Sequence, residues 1–468
     1  MLSPDRLLPA DPGVRRLART LYEHTAALPI VSPHGHVSAA SFATDAALVD
    51  AAVELVVPDH YLLRMLYSQG IPLEELGIRP RDGRPYERDS RTIWRTFAAH
   101  YHLFRGTPSR LWLDHTMAEV FGIEARLDAN SADAVFDEIG DRLADEKFRP
   151  RALVERFGID FLAATDGALD SLGSHEAMRA SGWSGRVVPT FRPDDVVDPD
   201  RPDFAANLDS LAEITGEDTT SWNGYLAALR SRRSVFIQFG ATATDHGHPT
   251  ASTANLPAVE AESLFAWVRS GGADPDDAEL FRAQMLTEMA AMSIDDGLVM
   301  QLHAGSWRGH NPSVAARFGP DKGADIPTRI SYVDSLKPLL DRFGNDRALT
   351  LVIYTLDEST YARELAPLAG HYPALRLGPP WWFHDSPEGI RRFRQLVTET
   401  AGFANTVGFN DDARSLLAIP ARHDVARRVD AGFLAGLVAE HLLEEDEAIE
   451  VAEDLAVGLA RRTFHVDR

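Results

Sequence analysis

Short apolar segments bounded by turn residues recur along the chain, and longer amphipathic segments separate most of them. Amphipathic segments such as Val333–Phe343 and Glu388–Thr398 predict helices. An alternation of strands and helices is typical of a parallel sheet, and eight such repeats predict a closed (β/α)8 barrel. The eight candidate strands are Leu28–Ser32, Ile159–Thr165, Arg186–Phe191, Ser234–Gly240, Leu298–His303, Leu349–Thr355, Leu375–Pro379 and Asn405–Phe409.

The gap after the first candidate strand differs from the others. Residues 40–155 show helical periodicity, most clearly in Asp59–Gln69 and Arg91–Phe104, and we predict a helical insertion there. The chain has 468 residues. An α/β barrel with insertions can hold more than about 400 residues as one unit. We therefore expect residues 1–468 to form a single barrel domain.

The charge balance and the absence of cysteine narrow the function. Lys plus Arg is 47 and Asp plus Glu is 70, so the formal net charge is −23. A surface of this sign argues against nucleic acid and anionic membranes as partners. With no cysteine, any metal must be held by nitrogen and oxygen ligands. The sequence shows neither an apolar signal region nor a run of about 18 apolar residues, so we expect a cytoplasmic protein with no membrane span.

Three His-x-His pairs occur, and their positions separate them. His34 and His36 directly follow the first strand, and residues i and i+2 of an extended segment point the same way. His100/His102 lies on a helical pattern, where i and i+2 diverge, and His246/His248 falls in a predicted loop after the fourth strand. His34 and His36 are therefore the candidate metal pair, with a surface or packing role as the alternative.

Other candidate groups also stand at strand ends, where barrel enzymes carry their reactive side chains. His303 ends the fifth strand, and a structural role is its alternative. Asp411 and Asp412 follow the eighth strand, where a carboxylate would complete a His/His/Asp site suited to zinc, manganese or iron unless the pair caps a turn. Arg192 ends the third strand and would grip a carboxylate or form a rim salt bridge. Trp381 would wall a pocket or fill the core.

These residues also carry a family resemblance. The ordered motifs resemble those of the uronate isomerase family, also called glucuronate isomerase, over about residues 25–465, and the block of motifs is more specific than any one of them. The motifs are His-x-His (34–36), Asp-His-Tyr (59–61), the stretch 94–123, Thr-Asp-x-x-x-Asp-Ser-Leu (165–172), Pro-Thr-Phe-Arg-Pro-Asp (189–194), Met-Gln-Leu-His (300–303), Trp-Trp-Phe-His-Asp (381–385) and Val-Gly-Phe-x-x-Asp-x-Arg-Ser (407–415).

The resemblance implies a fold, a reaction and a set of site residues. It implies a distorted (β/α)8 barrel of the metal-dependent hydrolase type, in the amidohydrolase superfamily, that interconverts aldohexuronates and ketohexuronates. It further implies a small anionic sugar-acid substrate, a homo-oligomer and one divalent metal, with zinc first and manganese or iron as alternatives. The implied residues are His34, His36 and Asp412 as metal ligands, His303 as a ligand or near neighbour, Arg192 and Arg414 at the substrate, and Tyr61 of the Asp-His-Tyr motif.

Departures from the superfamily pattern point to one metal and leave the substrate open. Thr355-Leu356-Asp357 stands where a sixth-strand histidine is usual, and no lysine ends the third or fourth strand, so a carbamylated dinuclear site is not expected. Ser32-Pro33, Gly35 and Asn410-Asp411 also differ from frequent family residues. A divergent sugar-acid isomerase therefore stays open. So does a hydrolase or decarboxylase in which Asp412 is the base for a metal-bound water.

The isomerisation moves a proton from C2 to C1 through a cis-enediol. Asp412 beside Arg414 would act as base and orienter, or Asp412 would hold the metal, and these two roles compete. Tyr61 would relay a proton at O1 or O2. For the substrate carboxylate, Arg192 is the first choice, with Arg64 or Arg308 behind it.

Overall fold

A parallel sheet curls around the centre of the molecule in the computed structural model, which describes residues 2–467. Seven strands of the described chain pair in the order β1-β2-β3-β4-β5-β8-β9, and each paired neighbour is parallel. A two-stranded antiparallel ribbon, β6-β7, lies outside this sheet. The strands are β1 Ile30–Ser32, β2 Ile159–Gly167, β3 Val187–Arg192, β4 Ala243–His248, β5 Val299–Ala304, β6 Ser306–Trp307, β7 Ile326–Pro327, β8 Leu351–Thr355 and β9 Leu375–Leu377.

Helices connect the strands and cover the outside of the sheet, as the (β/α)8 prediction requires. None of the helices in residues 2–467 is long and apolar enough to span a lipid bilayer. The α-helices are α1 Pro12–Ala26, α2 Ala39–Thr44, α3 Ala51–Leu55, α4 His60–Ser68, α5 Ser90–Ala99, α6 Pro108–His115, α7 Ala132–Leu143, α8 Pro150–Arg156, α9 Gly173–Ala180, α10 Asp194–Val197, α11 Phe204–Thr215, α12 Trp222–Gln238, α13 Ala258–Arg269, α14 Pro275–Asp296, α15 Pro312–Phe318, α16 Tyr332–Ser335, α17 Lys337–Phe343, α18 Ala366–Ala369, α19 Pro387–Ala401, α20 Ile419–Ala439, α21 Glu445–Glu453 and α22 Leu459–Thr463.

The segment between β1 and β2 holds seven of these helices, α2 to α8, which confirms the predicted helical insertion after the first strand. Its apolar faces form a core with the adjoining barrel residues, including Ile159 and Leu162 of β2. The insertion therefore packs directly on the barrel. That residues 1–468 form one domain stays a prediction.

Alternation along the strands decides which side chains face the barrel interior. Val299 and Val352 pack in the interior cluster, whereas Met300 and Leu351 pack outward among the helices. Because successive side chains of a strand point to opposite faces, His303 lies on the same side of β5 as Val299. The same period-two argument brings Asp245 of β4 and Tyr354 of β8 inside.

The fourth strand was predicted at the wrong place. Ser234–Gly240 forms the last turns of α12 and the residues just after it, and the strand is Ala243–His248. The Val-Phe-Ile-Gln-Phe run looks like a strand because its β-branched and aromatic residues are apolar. It is the end of a 17-residue helix, in which Phe236 is buried and Ile237 is 37% exposed. His246 and His248 consequently lie on a strand, not in a loop.

The eighth predicted strand, residues 405–409, forms only a single β-bridge in the described chain. Residues 405–409 form one parallel bridge between Thr406 and Leu377. The Leu377 N–H donates to the Asn405 carbonyl at 2.9 Å, and the Val407 N–H donates to the Leu377 carbonyl at 3.0 Å. The following loop then reaches β1, since the His36 N–H donates to the Ala413 carbonyl. The barrel closes through this irregular segment, in keeping with the distortion expected.

Candidate active site

The His-x-His segment continues β1 into the mouth of the barrel and is fixed on both sides. The Gly35 carbonyl accepts hydrogen bonds from the Thr165 N–H at 3.2 Å and from the Thr165 hydroxyl at 3.0 Å. On the other side, the His36 N–H donates to the Ala413 carbonyl at 2.9 Å. These bonds set the backbone that aims the imidazoles of His34 and His36.

Asp412 meets both imidazoles. Its Oδ1 lies 3.3 Å from His34 Nε2 and 3.1 Å from His36 Nε2. Ligand atoms of all three residues lie within 4.8 Å of one another. Within residues 2–467, Asp412 Oδ1 and both ring nitrogens of the buried His34 have no hydrogen-bond partner. Two imidazole nitrogens and a carboxylate oxygen, with those of His34 and Asp412 buried and that of the half-buried His36 beside them, fit a divalent metal of the zinc, manganese or iron type.

The backbone and side chain of Asp412 are held in an unusual conformation. Its φ is +49°, a left-handed value uncommon for a residue other than glycine. The preceding Asp411 carboxylate accepts the Ala413 N–H at 3.0 Å and contacts His423 Nε2 at 3.0 Å. Trp381 Nε1 donates to Asp412 Oδ2 at 2.9 Å. Oδ2 is thus fixed by the indole, and Oδ1 is left to face the histidines.

The charges of this group are strongly coupled. Burial alone would raise the pKa of Asp412, but His34 and His36 hold that pKa well below its usual range. Burial opposes the charged form of His34, yet the neighbouring carboxylates of Asp245 and Asp412 raise its pKa overall. Asp412 is therefore ionised at neutral pH, as a metal ligand or a base requires.

His34 also belongs to a second group, with Asp245 and His303, whose ligand atoms likewise lie within 4.8 Å of one another. His303 Nδ1 lies 2.5 Å from Asp245 Oδ1, and the imidazoles of His303 and His34 are 4.6 Å apart between centroids. Although burial would raise the pKa of Asp245, His303 and Arg192 hold it well below its usual range. His303 is thus a near neighbour of the candidate metal ligands, while Asp245 is a residue that the sequence prediction missed.

Arg192 is engaged by two carboxylates. Its Nε donates to Asp194 Oδ2 at 2.7 Å, and its Nη1 lies 3.2 Å from Asp245 Oδ2. Burial opposes the charge of Arg192, but these carboxylates raise its pKa. A Cβ at Gly247 of β4 would collide with the guanidinium, so glycine is required for this close approach. The role of Arg192 toward a substrate stays a prediction.

The two alternative cations differ from Arg192. Arg308 Nη1 is paired with Asp325 at 3.1 Å and with Asp321 at 3.5 Å. Arg64 lies over the ring of Phe383 at 4.4 Å and forms no ion pair within the described residues.

A cavity adjoins Asp412, between the insertion and the loops that follow β9. Its walls include His60, Tyr61, Trp382, Asp385, Asp412, Arg414 and Arg422. The Tyr61 hydroxyl donates to Asp385 Oδ1 at 2.7 Å, and Arg414 Nη2 lies 3.3 Å from Asp321 Oδ1. The structure thus brings Tyr61, Arg414 and Asp412 to one cavity, whereas Trp381 lies behind Asp412 with its ring 4.5 Å from that of His303.

Comparisons with known proteins place this arrangement in a family. A model of the glucuronate isomerase family matches residues 14–464. The chain belongs to the glucuronate isomerase family. It is 61% identical over 466 residues to a uronate isomerase of Phenylobacterium zucineum, covering 100% of this chain and 97% of that protein. It is 60% identical over 466 residues to a uronate isomerase of Rhizobium meliloti, covering 100% of this chain and 99% of that protein.

Solved structures agree with the assignment to the glucuronate isomerase family. The crystal structure of a glucuronate isomerase from Caulobacter crescentus matches with a TM-score of 0.98 at 56% identity, covering 100% of this chain and 98% of that chain. A uronate isomerase from Thermotoga maritima matches with a TM-score of 0.92 at 25% identity and 99% coverage of both chains. These matches confirm the predicted family and its α/β barrel fold.

Three residues that line the cavity of this glucuronate isomerase family member were not predicted as site residues from the sequence. Two of them, His60 and Asp385, lie inside the motifs of the family resemblance. His60 stands in Asp-His-Tyr, and burial together with Arg414 lowers its pKa to about 3. Asp385 ends Trp-Trp-Phe-His-Asp and accepts a hydrogen bond from Arg422 Nη1 at 2.6 Å. Arg422 carries no local signal, because it is one of several arginines on α20 and only the tertiary fold brings it to the cavity.

Proposed function

We propose that this chain interconverts an aldohexuronate and a ketohexuronate, D-glucuronate with D-fructuronate and D-galacturonate with D-tagaturonate. The observation that carries the proposal is membership of the glucuronate isomerase family over residues 14–464. The reaction is an aldose–ketose isomerisation of a small anionic sugar acid. Its net change is the transfer of one proton from C2 to C1 and of one from O2 to O1.

One divalent metal ion is part of this proposal, with zinc as the first choice and manganese or iron as alternatives. His34, His36 and Asp412 would hold it, since their ligand atoms lie within 4.8 Å of one another and those of His34 and Asp412 are buried without other hydrogen-bond partners. When bound, such an ion supplies Lewis-acid chemistry that polarises substrate oxygens.

Asp412 serves two roles through different oxygens in our proposal. Its Oδ1 faces His34 and His36 and would bind the ion, whereas its Oδ2 is on the side of Trp381 and would take the C2 proton. Its depressed pKa keeps the carboxylate ionised at neutral pH, which is the form that both roles require. Arg414, on the wall of the same cavity, would stabilise the negative charge that develops on the enediolate oxygens.

Substrate binding depends on local cations, because the net charge of −23 opposes the approach of an anion. We assign the substrate carboxylate to Arg192, which ends β3 at the barrel mouth, and Trp381 and His303 to the wall behind it. Replacing Arg192 with Gln should raise KM about 10-fold or more, as loss of a charge-assisted pair does. Arg230→Gln, which removes an exposed cation with an ion-pair distance of 3.6 Å, is the matched control and should leave KM unchanged.

The test is a conversion assay with both aldohexuronates. The metal-loaded protein is incubated with D-glucuronate and, separately, with D-galacturonate, and the anomeric and keturonate signals are followed by proton NMR. We expect at least one keturonate to accumulate to a constant ratio. Loss of carbon dioxide from the sugar would favour a decarboxylase instead, and no change in either sugar would contradict the proposal. A homo-oligomer and a cytoplasmic location stay predictions.

A further inference from the structure

The hydroxyl of Tyr61 has its proton committed to a neighbouring carboxylate. It donates to Asp385 Oδ1 at 2.7 Å and accepts the Phe383 N–H at 2.8 Å. A phenol has one proton and two lone pairs. One lone pair therefore remains for a substrate in the cavity that both Tyr61 and Asp385 line.

Asp385 is fixed through both of its oxygens. Its Oδ2 accepts a hydrogen bond from Arg422 Nη1 at 2.6 Å, while Oδ1 accepts from Tyr61. The same Arg422 nitrogen donates to the Asp411 carbonyl at 3.1 Å, and its guanidinium lies 3.8 Å from the centre of the Trp112 ring. Asp385 is buried, with 8% of its surface exposed. The contacts with Tyr61 and Arg422 therefore fix the position of its carboxylate.

Tyr61 does not readily exist as a charged phenolate. Burial raises its pKa well above the usual range, and the charge of Asp385 adds to that effect, so the phenolate form is disfavoured. Tyr61 can accept a proton from substrate only if it gives up its own at the same time. Burial also raises the pKa of Asp385, despite the opposing charge of Arg422, which makes this carboxylate a better proton acceptor than an exposed aspartate.

We propose that Asp385 takes up the proton of Tyr61 during the isomerisation and returns it, so that the pair carries the oxygen-bound proton from O2 to O1. This inference rests on the proposed function and deepens it. In the first half, the O2–H bond breaks as a new O–H bond forms at Tyr61, and the Tyr61 O–H bond breaks as one forms at Asp385 Oδ1.

In the second half of the proton transfer, the proton moves from Asp385 back through Tyr61 and is delivered to O1 of the substrate. Asp385 returns the proton to Tyr61, whose hydroxyl proton passes to O1. The electron pair of the broken O2–H bond stays on O2 and becomes part of the C2 carbonyl of the ketose. The two residues end in their starting protonation states, and no further acid, base or oxidant is needed. Asp385 acts through Tyr61 and is therefore a positioning residue that also stores a proton.

The test separates accepting a hydrogen bond from accepting a proton. In Asp385→Asn the amide oxygen can still accept the Tyr61 hydroxyl proton in a hydrogen bond, but the amide is not protonated near neutral pH. We expect kcat to fall about 100-fold, the scale of a lost acid–base step, with KM within about 3-fold and metal content unchanged. Asp385→Glu, which keeps a carboxylate, should recover at least about 10-fold of that loss.

A double variant and a matched control complete the test. Because both residues serve one step, Asp385→Asn combined with Tyr61→Phe should be no slower than Tyr61→Phe alone. Asp430→Asn removes a carboxylate of similar burial from an ion pair with Arg394, at 2.7 Å and on α20, and should leave kcat unchanged.

The outcomes distinguish the two levels of the proposal. An active parent protein whose Asp385→Asn variant keeps its kcat, whose Asp385→Glu variant is no faster than Asp385→Asn, or whose double variant is additive would overturn the role of Asp385 alone. A parent protein that forms no keturonate contradicts the proposed function and, with it, this inference.

Discussion

Two groups of titratable side chains lie next to each other in the barrel mouth but differ in how their charges are balanced. In the inner group, which we define as Arg192, Asp245 and His303, the carboxylate lies 2.5 Å from an imidazole nitrogen and 3.2 Å from a guanidinium nitrogen. In the outer group, His34, His36 and Asp412, one carboxylate oxygen meets two imidazole nitrogens at 3.3 and 3.1 Å. The inner carboxylate thus has a permanent cation, whereas the outer one has none among these three residues.

This difference gives the two carboxylates, Asp245 and Asp412, different expected roles. A buried carboxylate paired with arginine stabilises the fold only as long as both partners remain, and it has little charge left for a ligand. A buried carboxylate oxygen that faces two imidazole nitrogens is suited to a divalent cation. We therefore expect loss of the inner carboxylate, Asp245, to lower stability, and changes in the outer group to remove metal and activity.

The largest effect should come from the outer group. Replacing His36 with Ala removes one of three ligands, so we expect metal content to fall from about one ion per chain to near zero and kcat to fall about 100-fold or more. Metal analysis of the purified variant and the uronate assay measure both. His102→Ala, from a different His-x-His pair on the insertion, is the control. If His36→Ala retained its metal and its rate, the outer group would not be the metal site.

The inner group should respond in stability instead. Asp245→Asn leaves the buried His303 without its carboxylate partner and Arg192 with Asp194 alone, and we expect the free energy of unfolding to fall by about 3 kcal/mol. Denaturant titration measures this loss, and metal content should stay near that of the parent. The exposed pair of Asp133 and Arg95 gives the control, since Asp133→Asn should cost less than about 1 kcal/mol. Equal stability of Asp245→Asn and the parent would remove the contrast between the groups.

Acid should expose a smaller difference, through two buried neutral histidines. Burial lowers the pKa of His246 on β4 and of His60 in the cavity to about 3 in each case. As pH falls below about 6.5, the unfolded chain binds these protons and the folded chain does not. The free energy of unfolding therefore falls between about pH 6.5 and 3, by up to about 1.4 kcal/mol per pH unit for each histidine.

Removing either histidine should make that acid-dependent loss shallower. Urea titrations at pH 7, 6 and 5 would compare His246→Gln and His60→Gln with the exposed His102→Gln. We expect a reduced slope in the first two variants and the parental slope in the third. Parallel curves for all four proteins would show that neither buried histidine resists protonation.

The smallest effect should come from the indole that orients Asp412. Trp381→Phe keeps an aromatic ring near His303 but removes the Nε1–H bond to Asp412 Oδ2, and we expect a loss of about 10-fold in metal affinity. Competition with a chelator measures this affinity. Trp94→Phe also removes an indole hydrogen bond, to the Ala132 carbonyl in the insertion, and should leave metal affinity unchanged. Similar affinities for both variants would argue against orientation by Trp381.

Much of the fold could be predicted because its strands are short, apolar and regularly spaced. The failure at β4 has a physical cause. The strand Ala-Thr-Asp-His-Gly-His has one apolar residue, and its other buried side chains are polar, so hydropathy does not mark it. The neighbouring end of α12 is apolar, so the apolar pattern predicts a strand there instead. Because the sequence pattern does not mark β4, it also does not predict Asp245 as a site residue.

The candidate site could be predicted where function depends on one strand end. His34 and His36 are two positions apart in sequence, and their common direction follows from strand geometry. The partnership of Asp385 with Tyr61 spans 324 positions and runs through Arg422 on a helix, so no local pattern reports it. Side chains that act through another residue are found from coordinates, not from spacing.

The central claim is that the protein isomerises a uronate and that Asp412 of the outer group is essential for this reaction. Its most direct test is the conversion of D-glucuronate and D-galacturonate by metal-loaded parent protein and by Asp412→Ala, followed side by side by proton NMR. We predict keturonate from the parent and none above the protein-free blank from the variant. Keturonate formation by Asp412→Ala at the parental rate would contradict the account.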